Sequence, residues 1–227
     1  MAKANVLNKR LLCDVAFDEI YRRIITLGYA QGQVLYEKQL MQELGIGRTP
    51  IREALPRLAA CGILDSHPNG AWTVRPITLP NIKAVFEALE IMEMGVIGLA
   101  VHHDPHPMID EMAEAQARVE AAIGAGDTLA LVESNHRFHM SFYAVARNEY
   151  LLHGLDRIRF ETKRLAYISY GQNRDPGSVL AEHYIAVRRE HGAMMQYLLD
   201  KNPEGLRHTC RAHIAAFRER IIRYLST

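Results

Sequence analysis

Three histidines and one asparagine in the C-terminal part of this chain stand at positions from which they could act together. Asn135 and His139 are four residues apart, and His191 and His213 are 22 apart. Val132, Asn135, His139, Phe142 and Ala146 fall at offsets 0, 3, 7, 10 and 14, which on a helix puts Asn135 and His139 on the apolar, inward face. Val187, His191, Met194 and Leu198 form a second such stripe, and Leu206, Cys210, His213, Phe217 and Ile221 a third. The periodicity predicts three imidazoles and one amide directed into a helical core. A buried polar group without a partner costs roughly 1–3 kcal/mol, so these four need one another, water or a metal. Three neutral imidazoles and an oxygen donor suit Zn, Ni, Fe or Mn, with coordination positions left open for an outside ligand. The ordinary alternative is that each imidazole is a core histidine satisfied by a neighbour. A loop "HHDPHP" also collects histidines, but three of them around prolines read more simply as a polar turn.

A second group lies in "LMQELGIGRTPIREALPRLAACGIL", Leu40 to Leu64. Gly45 stops one helix, Ile46 and Gly47 turn the chain, and another helix runs from Arg48 to near Cys61 and Gly62. That is a helix-turn-helix. Ile51, Leu55 and Leu58 take its inner side, which leaves Arg48 and Arg52, four residues apart, together on another, with Thr49 beside them. In the major groove such a helix presents its N-terminal end to the bases, where arginine pairs bidentately with guanine or bonds phosphate. Arg57 lies a turn further along, facing the DNA backbone or solvent. Read alone, these arginines could merely solvate a surface helix; turn, helix and following hairpin together favour DNA contact.

The elements that must hold these residues divide into two parts. Residues 1–77 carry 10 Lys+Arg against 7 Asp+Glu, and residues 78–227 carry 17 against 19. Only His67 of the 11 histidines precedes residue 78. Two domains of different chemistry are expected, 1–77 and 78–227. In the first, Phe17, Ile20, Ile24 and Leu27 predict a helix ended by Gly28, and Leu40 and Leu44 face inward from the next. "ILDS" and "WTVRP", joined by "HPNGA", predict a hairpin, so three helices and a β-ribbon make a winged helix-turn-helix. After the linker "RPITLPN", with Thr78 as expected N-cap, everything reads as helix: six or seven of them, broken by "HHDPHP", "GAGD", "NRDPGS" and "DKNPEG". Val85, Leu89, Met92, Val96 and Leu99 predict one core stripe, and Met112, Gln116, Val119 and Ile123 a second. The fold expected is mainly α, a winged helix followed by an all-α bundle.

With 48% apolar residues and the charged fraction of a soluble globular protein, the composition argues against a disordered chain. No apolar run approaches the ~20 residues of a membrane span, and "MAKANVLNKR" carries no secretory signal, so a cytoplasmic protein is expected. Three scattered cysteines, never in a CxxC pair, fit reduced thiols.

From about Val15 to Arg75, "GRTPIREALPRL", "GIL" and "NGAWTV" resemble the DNA-binding domain of the GntR family of bacterial transcription regulators, whose motif reads Ser or Gly, then R-T-P-x-R-E-A-L-x-x-L. Pro56 departs from that motif and should bend or loosen the helix by removing a bond to the Arg52 carbonyl. The histidine spacing, with "NHRFHMSFYAVARNEYL", resembles the C-terminal FCD sensor domain of the FadR subfamily. Metal-binding members of that subfamily carry Asp or Asn, a histidine four residues on, and two further histidines about 22 apart. The resemblance implies a divalent-metal site at Asn135, His139, His191 and His213, with neutral Asn135 where many relatives have a carboxylate. Relatives often read E-x-R-x-x-L-E where "VFEALEIME" stands, and Leu89 replaces the arginine that can help bind ligand. Arg164 and Tyr167 are then candidates to complete an effector pocket.

The resemblance implies a dimeric regulator that binds a small carboxylic acid and double-stranded DNA with an inverted-repeat operator. Two other readings remain: a metal-dependent helical enzyme with a DNA-binding appendage, and a regulator whose metal is purely structural. Against the enzyme, imidazoles used as metal ligands cannot also serve as bases, and no spare acid or base stands in the group.

Overall fold

The computed structural model describes residues 2–171 and 177–225. The chain forms two compact units, Met1–Leu79 and Pro80–Thr227.

In the first unit, α1 (Ala2–Ile25) and α2 (Glu37–Leu44) both pack on α3 (Arg48–Ala60). Ile20, Ile24, Leu40, Ile51, Leu55 and Leu58 meet in the core and are buried. α1 stops two residues before the expected Leu27, whose φ of 61° cannot continue a right-handed helix. Gly45 ends α2 in the left-handed region, φ 66°, and donates back to the Met41 carbonyl at 3.1 Å. The turn is therefore closed by a residue without a Cβ. α3 begins at Arg48 and runs through Pro56 without a break. Beyond it, β2 (Leu64–Ser66) and β3 (Trp72–Val74) pair antiparallel around a turn in which Gly70 has φ 77°. Sequence reading missed the third strand, β1 (Val34–Leu35), which pairs with β3 to give the order β1-β3-β2. Two residues are too few to show alternation.

The second unit contains α4 (Leu79–Ala100), α5 (His106–Ala125), α6 (Thr128–Ala144), α7 (Glu149–Gly171), α8 (Gly177–Leu199) and α9 (Pro203–Leu225). Among the described residues it contains no strand. α5 and α6 form a hairpin: Gly126 (φ 67°) ends one, and the Asp127 side chain accepts from the Ala130 N–H at 2.9 Å to cap the other. The expected break at "NRDPGS" falls mostly outside the described residues. On α4 the buried stripe is Ile82, Phe86, Leu89, Glu93, Val96, Ile97 and Ala100, and Leu99 is exposed. The observed stripe shares Leu89 and Val96 with the expected one and includes the charged Glu93, which apolar periodicity does not pick out. Phe138, Phe142, Met194, Leu198, Leu206 and Cys210 fill the core around the histidines. The three cysteines are free. No described helix is long and apolar enough to cross a membrane.

Candidate functional site

Helix α3 exposes Arg48, Thr49 and Arg52 on its first turns while Pro50, Ile51, Ala54 and Leu55 face the core. Both arginines lie against Glu37 at the start of α2: Arg48 Nε at 3.2 Å and Arg52 Nε at 3.6 Å. Arg57 belongs elsewhere. Its guanidinium donates to Asp14 Oδ1 at 2.8 Å and lies 4.6 Å from the centre of the Phe17 ring, so it clamps α3 to α1. Nine residues at about 100° each turn it about 180° from Arg48, which is why it faces the neighbouring helix. The signal was available in the spacing.

In the second unit, His139 from α6, His191 from α8 and His213 from α9 converge. One ring nitrogen of each lies within 4.8 Å of one from each of the others, and all three residues are buried. The ring centroids are 5.2 Å apart in every pair. His191 Nδ1 is 2.7 Å from Gln116 Oε1, and His213 Nδ1 is 2.8 Å from Glu190 Oε2. Both partners are acceptors, so each Nδ1 is the donor and Nε2 is the nitrogen left to face the other rings. The Gln116 amide nitrogen in turn donates to Glu120 at 3.2 Å, which fixes which end of the amide meets the imidazole. His191 Nε2 and both nitrogens of His139 are buried with no hydrogen-bond partner. Burial, then the Arg159 charge and the other imidazoles, hold His139 well below the ordinary histidine pKa; burial also depresses His191, with His213 and Arg159 adding to it. His139 and His191 thus bring buried nitrogens without hydrogen-bond partners, and with His213 the three rings stand close enough together for a divalent ion. The "HHDPHP" loop forms no such group; His106 pairs with Asp104 at 2.7 Å in the open.

A cavity opens beside the triad. His213, Asn135, His136, Leu89, Arg159, Lys163, Tyr170 and His183 are among the residues that line it. Asn135 thus shares a wall with His213. Arg164 and Tyr167 do not line this cavity. Arg164 is fully buried against Glu161 at 3.2 Å, and the α7 face that reaches the cavity is Arg159, Lys163, Ala166 and Tyr170. The C-terminal half of α7 is buried on nearly every side, so it has no apolar stripe from which to read an orientation.

Sequence reading also missed the polar group beneath the triad. Glu93 on α4 accepts from Arg159 Nη2 at 2.7 Å and from the Tyr143 hydroxyl, and Arg159 Nε reaches the same hydroxyl at 2.8 Å. The side chains of Glu93 and Arg159 are 1% and 5% exposed, so both charges have left water. Glu93→Leu should therefore lower stability by about 3–5 kcal/mol, because an unpaired guanidinium is left inside. Adding Arg159→Met should recover most of that loss. Urea denaturation of the single and double variants checks both, and a double variant no better than the single one removes the pairing argument.

Comparison with known proteins follows the same division. The model for bacterial regulatory proteins of the gntR family matches residues 12–74, and the FCD domain model matches residues 84–216. The chain is 23% identical over 215 residues to the "Probable D-xylose utilization operon transcriptional repressor" of Paenarthrobacter nicotinovorans, covering 92% of this chain and 90% of that one. It is 25% identical to the HTH-type transcriptional regulator McbR of Escherichia coli, over 81% of this chain and 80% of that one. The solved structure of E. coli McbR/YncC superposes with a TM-score of 0.77 at 20% identity, covering 93% of this chain and 97% of that chain, a likeness of fold.

Proposed function

The chain belongs to the GntR family of bacterial regulatory proteins, in the branch with an FCD domain, and from that premise we propose that this transcriptional regulator senses a small carboxylic acid beside a divalent metal. Its domains and relatives are those of a regulator, not an enzyme. The observation that carries the metal reading is the convergence of three buried imidazoles, with nitrogens of His139 and His191 left without a hydrogen-bond partner.

His139, His191 and His213 would hold the ion, with Asn135 as an oxygen donor one helical turn from His139; Zn, Ni, Fe and Mn all suit such donors. When bound, the ion supplies open coordination positions that carboxylate oxygens can fill. The chain provides the rest of the pocket. Lys163 and Arg159, which also face Glu133 at 3.5 Å and Glu93 at 2.7 Å, bring cationic N–H donors to the wall for an anion, while Leu89 and Phe217 close it with apolar surface. Arg159 and Lys163 thereby take the part first given to Arg164 and Tyr167. Gln116 and Glu190 hold His191 and His213 in the orientation that points Nε2 inward.

We further propose a cytoplasmic homodimer whose two winged helices meet an inverted-repeat operator, since one recognition helix reads only half of such a site. Arg48, Thr49 and Arg52 make the DNA contacts, and Arg57 supports α3 from behind. An acid that binds the second unit unequally in its DNA-bound and free forms must shift DNA affinity by the coupling factor, and DNA must shift acid affinity equally.

The test is a DNA titration with and without a panel of small carboxylic acids, for the parent, His191→Ala and chelator-treated protein. The expected result is a shift of about 5- to 150-fold in the parent and none in the metal-free forms. An undiminished response without metal would place the effector elsewhere. A metal-loaded parent deaf to every acid would favour a purely structural ion.

A further inference from the structure

Glu37, the first residue of α2, stands between the two arginines of the recognition helix. Its Oε2 is 3.2 Å from Arg48 Nε and its Oε1 is 3.6 Å from Arg52 Nε. The Glu37 side chain is 24% exposed, against 68% for Arg48 and 61% for Arg52. One half-sheltered carboxylate therefore spans two solvent-facing guanidinium groups. In both, the closest approach is at Nε, so Glu37 grips the inner edge of each group and leaves its terminal amino groups for another acceptor.

We propose that Glu37 sets the specificity of DNA recognition, by orienting Arg48 and Arg52 as a pair and by opposing phosphate-driven binding to unrelated sequence. The inference rests on the DNA-binding role given to those arginines. Two physical effects carry it. Arginine has many rotamers, and a side chain already held in one orientation loses less freedom when it meets a base edge. Binding to unrelated DNA is almost wholly phosphate electrostatics, and a carboxylate in the recognition face repels phosphate wherever the protein lands. At the right sequence, guanine acceptors engage the amino groups that Glu37 leaves open, and the arginine pair offsets that repulsion. A carboxylate in the first turn of α2 also suits the helix dipole, but that effect alone would alter stability and not sequence preference.

The full-length protein first selects duplexes from a random-sequence library. Affinities for a selected duplex and a scrambled one are then measured across a salt series, for the parent, Glu37→Gln and Glu37→Asp. Glu37→Gln keeps the shape and removes the charge. It should bind the scrambled duplex several-fold more tightly, with a salt slope steeper by about one, and the ratio of selected to scrambled affinity should fall by about 5-fold or more. Glu37→Asp keeps the charge but is one methylene short of reaching both arginines. Its ratio should fall with the slope unchanged, and this arm decides the matter alone if thermal melting shows the glutamine variant unfolded. Parental ratios and slopes in both folded variants overturn the proposal. A parent that selects no sequence overturns the recognition reading together with it.

Discussion

His139→Ala is expected to remove the bound divalent ion while leaving the bundle folded. His139 reaches the triad from α6 with no hydrogen-bond partner on either ring nitrogen, so removing its imidazole breaks no hydrogen bond within the protein. Removing a direct ligand should weaken metal binding by more than the roughly 10- to 100-fold typical of changes one layer further out. Alanine is the best helix former, so α6 keeps its backbone. The substitution opens a small cavity but also takes two orphaned polar nitrogens out of the core, and these effects oppose each other. The measurement is elemental analysis after dialysis, with circular dichroism to show that helicity is kept. Equal metal content in parent and variant would end the metal reading, whatever the DNA results.

Arg48→Ala and Arg52→Ala should each weaken binding to the operator by about 1–3 kcal/mol, a loss of roughly 5- to 150-fold, if each guanidinium meets a base edge bidentately. Neither should disturb the fold, since both side chains are largely exposed and pair with Glu37 across the turn. Arg57→Ala supplies the contrast. Its guanidinium is tied to Asp14 and stacked over Phe17, so its loss should register in the melting temperature before it registers in DNA affinity at constant salt. Operator binding that is unchanged in both Arg48→Ala and Arg52→Ala would mean that another face of the unit reads DNA.

What was legible in the sequence followed the periodicity of single helices. Arg48 and Arg52 share a face because they are four residues apart, and His139, His191 and His213 point inward because each interrupts an apolar stripe on its own helix. What was not legible depended on pairs formed across helices. Glu93 has the spacing of a core residue and the chemistry of a surface one; only Arg159 and Tyr143, 66 and 50 residues away, make its burial affordable. Lys163 and Arg164 are neighbours on the half of a helix that is buried nearly all round, and which of them lines the cavity is decided by what packs around α7. Strand β1 exists because β3 offers it a partner, not because Val34 and Leu35 form a strand alone.

The Glu93, Arg159 and Tyr143 group also constrains how this chain can descend with change. Its members sit on α4, α7 and α6, far apart in the gene, yet each is the reason the others are tolerated inside. A lineage that alters Glu93 or Arg159 first passes through a protein carrying an uncompensated buried charge, and one that alters Tyr143 first strips a hydrogen-bond partner from both, on a margin of stability that is only about 5–15 kcal/mol to begin with. Replacement by apolar residues is physically acceptable as an end point and difficult as a path. The three positions should therefore be inherited as a block, drifting together or not at all, while the loops around them vary freely.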